Sequence, residues 1–209
     1  MEPIHEQMMQ RCLQLAKLGM GHVSPNPMVG AVLLYEDEII GEGYHRQYGK
    51  SHAEVNCIQS VPEDRKHLIE KSTLYVSLEP CSHFGKTPPC TQLIIRHKIP
   101  RVVISNVDPF PKVSGSGIKQ LRDAGIEIIT GICEEEGKDL NKRFFTFYEK
   151  KRPFIILKWA QSADAFIGLL DNKKVQISNE FTNHLVHKWR SEESAILVGT
   201  NAALSDDPR

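Results

Sequence analysis

Apolar residues recur at helical spacing over residues 4–19, where Met8, Cys12, Leu15, Ala16 and Gly19 share one face, and the pattern predicts an amphipathic helix. Ser24–Gly30 (SPNPMVG) breaks that period with two prolines and an asparagine and reads as a loop. Ala31–Tyr35 and Glu38–Tyr44 are apolar runs parted by Glu36-Asp37, the mark of a hairpin. His52–Ser60 opens a short helix, and Thr73–Leu78 (TLYVSL) is a buried strand by composition. A loop rich in proline and glycine, Glu79–Pro89, leads into a helical pattern over Cys90–His97. Arg101–Ser105 reads as a strand, 117–124 as a helix and Glu127–Thr130 as a short strand. This alternation predicts an α/β sheet with helices on both faces.

Glu134–Lys151 reads as one charged helix, and Pro153 cannot continue it. A domain boundary is therefore expected near residues 145–153, with a first domain over 1–148 and a second over 149–209. In the second, Phe154–Trp159 is expected as a strand, Phe181–Arg190 as a helix and Ala195–Val198 as another strand. The chain stops at Asp206-Asp207-Pro208-Arg209 with no closing element, so this domain is expected to be incomplete. Ile155, Ile156, Leu157, Ile196, Leu197 and Val198 would then have too little to pack against, and exposed apolar strands invite pairing with another chain.

Composition narrows the function classes. Lys+Arg and Asp+Glu both number 26, a balance that argues against a general nucleic-acid binder, although one local phosphate pocket is compatible with it. The longest apolar runs are about eight residues, against roughly 20 for a spanning helix. The opening MEPIHEQMMQ lacks the charged and apolar regions of a signal peptide, so a cytoplasmic address is expected. Five cysteines, an odd count, do not read as a disulfide framework.

Three features become informative together: His52-Ala53-Glu54, Pro80-Cys81 and Pro89-Cys90. Alone, a His-x-Glu or two cysteines nine apart would be unremarkable. Jointly, each cysteine follows a proline beside one loop that leaves a strand and enters a helix, while His52 stands at another helix start. One imidazole and two thiolates make three ligands, and helix N-termini favour the thiolate form. A catalytic zinc takes three protein ligands and keeps a position open for water. Glu54, two residues from His52, can lean over that position and carry a proton from water to a leaving amine. This is the signature of zinc nucleobase deaminases, with eight residues between the cysteines instead of two.

At these residues the sequence resembles the bifunctional deaminase/reductase family of bacterial riboflavin biosynthesis. The matching segments are SPNPMVG (24–30), GEGYH (41–45), HAE (52–54), LEPCSHFGKTPPC (78–90), DPFPKVSGSGI (108–118) and GIEIITGI (125–132). They continue in LKWAQSADAFIG (157–168), QISN (176–179), R…AILVGT (190–200) and SDDPR (205–209). The resemblance implies a cytidine-deaminase-like zinc domain followed by the incomplete start of a dihydrofolate-reductase-like domain. It implies hydrolytic deamination of 2,5-diamino-6-ribosylamino-4(3H)-pyrimidinone 5′-phosphate, with zinc on His52, Cys81 and Cys90 and Glu54 as proton shuttle. Asn26, His45, Lys86, Thr87 and Asp108 would contact base, ribose or phosphate. In the second domain Lys158, Lys174 and Arg190 would touch substrate, and Ala160, Gln176, Ala202 and Asp206 would lie along NADPH. No GxGxxG fingerprint supports the nicotinamide site independently. Reduction is expected only of a longer parent. Expected partners are the small pyrimidine ribotide and further copies of the chain, with no nucleic acid and no membrane.

Three positions depart from the family pattern. Phe110 replaces an asparagine, and without a hydrogen-bonding group its ring either stacks on base or sugar or the contact is lost. Ser116 replaces a basic residue, and Gln176 stands where tryptophan is usual. Two other readings compete. A zinc deaminase of cytidine, guanine or RNA adenosine fits less well with the cysteine spacing, with the Lys86-Thr87 pair and, for RNA, with the neutral charge. A non-catalytic zinc module would need a fourth ligand, for which His83 is the nearby candidate.

Overall fold

Strands β1 (Gly30–Tyr35) and β2 (Glu38–Tyr44) pair antiparallel across the Glu36-Asp37 turn, with a bulge between Leu33 and Leu34. On its other side β1 pairs antiparallel with β3 (Thr73–Leu78). Strands β4 (Arg101–Asn106) and β5 (Glu127–Thr130) extend the sheet in parallel, giving the order β2-β1-β3-β4-β5. The computed structural model describes residues 3–84, 88–111, 113–169 and 175–206. The chain divides into two units between Phe154 and Ile155.

The strands read as continuous apolar runs because both faces are covered. Alternate residues go to opposite sides. Ala31, Leu33, Leu74, Val76, Val102 and Ile104 pack with Ala53, Cys57 and Ile58 of α2 (Ala53–Ser60), Ile94 of α3 (Cys90–Arg96) and Leu121 of α4 (Ser116–Asp123). Val32, Leu34, Tyr75 and Val103 pack with Met8, Met9 and Cys12 of α1 (Pro3–Lys17). A 3₁₀ helix over Glu63–Lys71, which no periodicity marks, joins α2 to β3.

The expected single helix over Glu134–Lys151 is instead two, α5 (Glu134–Leu140) and α6 (Lys142–Lys150). Between them Asn141 is buried with φ −104° and ψ 27°. Its Oδ1 accepts from Met28 N and its Nδ2 donates to Met28 O, both at 2.8 Å. This pair satisfies the loop backbone at Met28 and turns the helix where the side chain must face inward.

The second unit corrects the expected strands. Its helices are α7 (Glu180–Ser191), capped by Asn179 Oδ1 accepting from Thr182 N at 2.8 Å, and α8 (Thr200–Asp206). Phe154–Trp159 and Ala195–Val198 are not strands, and among the described residues of this unit there is no strand at all. A strand is completed by a neighbour's N–H and C=O groups, and no described segment of the unit supplies them. The exposure expected for the apolar runs is observed, reaching 78% at Leu157 and 99% at Leu197.

Candidate active site

The site gathers at the carboxyl ends of parallel strands β3 and β4, where open α/β sheets place their crevices. His52 immediately precedes α2 in extended backbone (φ −72°, ψ 169°), and Glu54 lies in the first turn. Helix α2 can approach β2 because Gly43 has no side chain; a Cβ there would collide with Cys57 N and Ala53 O. Cys81 follows Pro80 beyond β3, and Cys90 opens α3 after Pro89. The Cys90 amide donates to Cys81 Sγ at 3.3 Å, and Thr91 N donates to Cys81 O at 3.2 Å.

Cys81 Sγ and Cys90 Sγ lie 3.6 and 3.4 Å from His52 Nδ1, and the three donor atoms fall within 4.8 Å of one another. Zinc bonds of about 2.3 Å to sulfur and 2.0–2.1 Å to nitrogen, at the tetrahedral angle, hold the two atoms about 3.6 Å apart. The donor set therefore fits a zinc ion by both chemistry and spacing. His83 is exposed and stands outside this cluster, so among the described residues the group has three members and no protein fourth.

The hydrogen bond with Cys81 pushes His52 up to about 9. The Cys81 thiol is drawn down to about 4 by hydrogen bonds from Cys90 and His52, while the same sharing, with burial, pushes Cys90 up. One thiolate is thus stabilised in the cluster by its own neighbours. Glu54 is 3% exposed, and its burial raises its pKa.

A cavity of about 300 Å³ adjoins the cluster, and Asn26, His45, His52, Glu54, Cys81 and Asp108 all line it. Asn26 Nδ2 lies 3.2 Å from His45 Nε2, and His45 Nδ1 lies 3.0 Å from Ser51 O. Burial lowers the His45 pKa, which favours a neutral ring donating from Nδ1 and accepting at Nε2. Both nitrogens are thereby engaged, and His45 orients Asn26. Asp108 Oδ1 accepts from Phe110 N at 2.7 Å, and burial raises this carboxyl to about 6. Phe110 lines the cavity with its ring 5.1 Å from that of Tyr148. Lys86 and Thr87 lie outside the described residues.

Several cavity residues carry no signal in the motifs. Lys50 and Tyr48 follow His45 in the loop before His52, and Phe144 and Tyr148 come from the distant helix α6. Glu79, by contrast, lies inside the matching segment 78–90; one residue past β3, it is 4% exposed and also lines the cavity.

In the second unit the structure does not gather the named residues into a site. Lys158, Gln176 and Ala202 are exposed, and Ala160 and Arg190 are half-buried. An open cavity of about 600 Å³, lined among others by Ser162, Asp164, Phe166 and Ile177, includes none of them. Lys174 and the Asp206 side chain lie outside the described residues.

Two family models match the chain. Residues 2–106 match the model of the cytidine and deoxycytidylate deaminase zinc-binding region, and 153–209 match that of the RibD C-terminal domain. The riboflavin biosynthesis protein RibD of Aquifex aeolicus is 46% identical over 98% of this chain and 56% of its own length. RibD of Acinetobacter baumannii superposes with TM-score 0.92 at 35% identity, covering 98% of this chain and 56% of that one. A Thermotoga maritima diaminohydroxyphosphoribosylaminopyrimidine deaminase/5-amino-6-(5-phosphoribosylamino)uracil reductase gives 0.90 at 44% identity, covering 98% and 58%. The chain thus spans about half the length of the relatives it matches.

Proposed function

This chain belongs to the cytidine and deoxycytidylate deaminase zinc-binding family and is similar along its length to the RibD riboflavin-biosynthesis proteins, and on that premise we propose that its first unit is a zinc-dependent deaminase of 2,5-diamino-6-ribosylamino-4(3H)-pyrimidinone 5′-phosphate. The observation that carries this reading is the donor cluster of His52, Cys81 and Cys90 beside a cavity that His52, Cys81 and buried Glu54 line. A zinc ion held by that trio supplies Lewis acidity that makes water a nucleophile near neutral pH. The reaction forms a C–O bond from water and breaks the C–N bond to the exocyclic amine, which leaves as ammonia. Glu54 carries a proton from the water to that nitrogen. Its burial raises its pKa toward the range where a carboxyl both takes and gives protons. Asn26, held by His45, and Asp108 contact the base and ribose, and Phe110 stacks against one of them. The phosphate pairs with Lys86 and Thr87, and Lys50, a further cation on the cavity, adds to that charge.

On the same reading, residues 153–209 contribute to an NADPH-dependent reductase unit, in keeping with their match to the RibD C-terminal domain. Of the residues assigned to NADPH, Gln176 and Ala202 are exposed, Ala160 is half-buried, and none of the three lines the 600 Å³ cavity of this unit. The enzyme acts in the cytosol, which the five free cysteines favour, and self-associates, which the exposed apolar side chains of the second unit favour. Among the described residues no helix is long and apolar enough to cross a membrane.

The test is to incubate the zinc-loaded chain with the ribotide and follow ammonia beside cytidine and guanine. Release from the ribotide at a kcat/KM well above both controls is expected. Preference for either control would replace this substrate.

A further inference from the structure

Among the described residues, Glu79 is the one buried carboxylate of the cavity region that the reaction does not use. It sits two residues before Cys81, and its own amide donates to Asn106 O at 2.9 Å. Its Oε1 accepts from Gly117 N (2.9 Å) and Ile118 N (3.2 Å), and its Oε2 from Gly115 N (2.9 Å) and Asp108 N (3.2 Å). Four backbone donors of the β4–α4 connection therefore converge on one acceptor-only group. Two of them belong to the first turn of α4, whose Gly115 cap makes no side-chain cap bond, so a carboxylate from the segment after β3 caps this helix.

Close approach is built into the backbone. A Cβ at Gly117 would collide with Pro80 O, so the connection rests directly on the segment leading to Cys81. Ser116 adds a second tie. Its hydroxyl donates to Val113 O and lies 2.6 Å from Ser82 Oγ, the neighbour of Cys81. Asp108, Phe110 and Val113, all on the clamped connection, line the cavity.

We propose that Glu79 is a positioning residue for substrate: by clamping the Asp108–Ile118 connection against the Cys81 segment, it sets where Asp108 and Phe110 stand relative to Glu54. Glu79 touches neither the reacting atoms nor the metal donors, so its removal moves the substrate wall and leaves the zinc trio intact. The inference rests on the deaminase reading above, and its test separates the two.

Glu79→Gln keeps the size of the side chain but turns an amide NH₂ toward two of the four N–H donors. Zinc content, thermal midpoint and ribotide kinetics are measured for wild type, Glu79→Gln and Glu79→Asp. The expected result is about one zinc per chain in all three. KM should rise about tenfold or more in Glu79→Gln with a smaller fall in kcat, and Glu79→Asp should lie between. Asp108→Asn should add little further loss in the Glu79→Gln background, because the two act through one wall. A KM within twofold of wild type in zinc-loaded Glu79→Gln overturns the proposal, as does zinc loss in step with the KM rise. If Glu79→Gln is insoluble, Glu79→Asp carries the same comparison. If the wild type releases no ammonia from the ribotide, the deaminase reading falls, and amide exchange decides the clamp alone. Faster exchange at Asp108, Gly115, Gly117 and Ile118 with β3 unchanged in the variant supports it, and unchanged exchange at all four overturns it.

Discussion

Strand β4 and the segment Phe154–Trp159 are each six residues long with three consecutive aliphatic side chains. In β4, Val102, Val103 and Ile104 are fully buried between two helical layers, with β3 and β5 on either side. In the second segment Ile155, Ile156 and Leu157 are all more than half exposed. The difference lies in the neighbours rather than in the residues. β4 is covered on both faces and paired along both edges, whereas no described residue of the second unit pairs with Phe154–Trp159. Buried polar groups follow the same division. His45, Glu54, Glu79, Asp108 and Asn141 all lie in the first unit, where a surrounding core makes their partners obligatory.

The largest expected contrast is in amide exchange. Val102–Ile104 should be protected more than ~10³-fold over Ile155–Leu157, since central strands open only with the whole unit. Comparable protection would mean that the second segment has partners, and would break the comparison. Next is chemistry. Glu54→Gln should cut ammonia release by at least ~10²-fold with zinc retained, while Arg190→Ala in the second unit should leave it within about twofold. A fall of similar size in both would show that the site draws on both units. A smaller effect is expected in denaturant titrations. Ile104→Ala should cost about 2–5 kcal/mol, and Ile156→Ala should stay within about 0.5 kcal/mol.

The smallest effect concerns pH. Asp108 has a folded pKa of about 6, raised chiefly by burial above an unfolded value near 3.9. Between those values the folded state binds more proton, so this group makes stability fall as pH rises from about 4 to 6, by at most about 1.4 kcal/mol per pH unit. Asp108→Asn should remove that fall, and an unchanged slope would assign it to another carboxyl.

Much of the first unit was legible in the sequence because its signals are local. β3 and β5 have the bounds that apolar run length predicts, and the zinc trio is marked by residue types that chemistry restricts. What escaped depends on distant backbone. Glu79 serves main-chain N–H groups, which any residue supplies, so nothing in the text of residues 108–118 announces its partner. Phe144 and Tyr148 reach the cavity from a helix that looks merely charged and amphipathic, and Asn141 breaks that helix for the sake of Met28, 113 residues earlier. The second unit was misread for the converse reason: its runs have the composition of strands and lack the pairing.

The bond between Asn141 and Met28 also orders events during synthesis. His52, Cys81 and Cys90 are all present once the nascent chain has passed Cys90, but the Met28 backbone, in the loop that carries Asn26, gains its side-chain partner only when Asn141 has been made, and Phe144 and Tyr148 come later still. At ~5–20 residues per second, that interval is on the order of several seconds. The three metal donors therefore precede, in order of synthesis, both the side chain that ties Met28 and the aromatic side chains that complete the cavity wall.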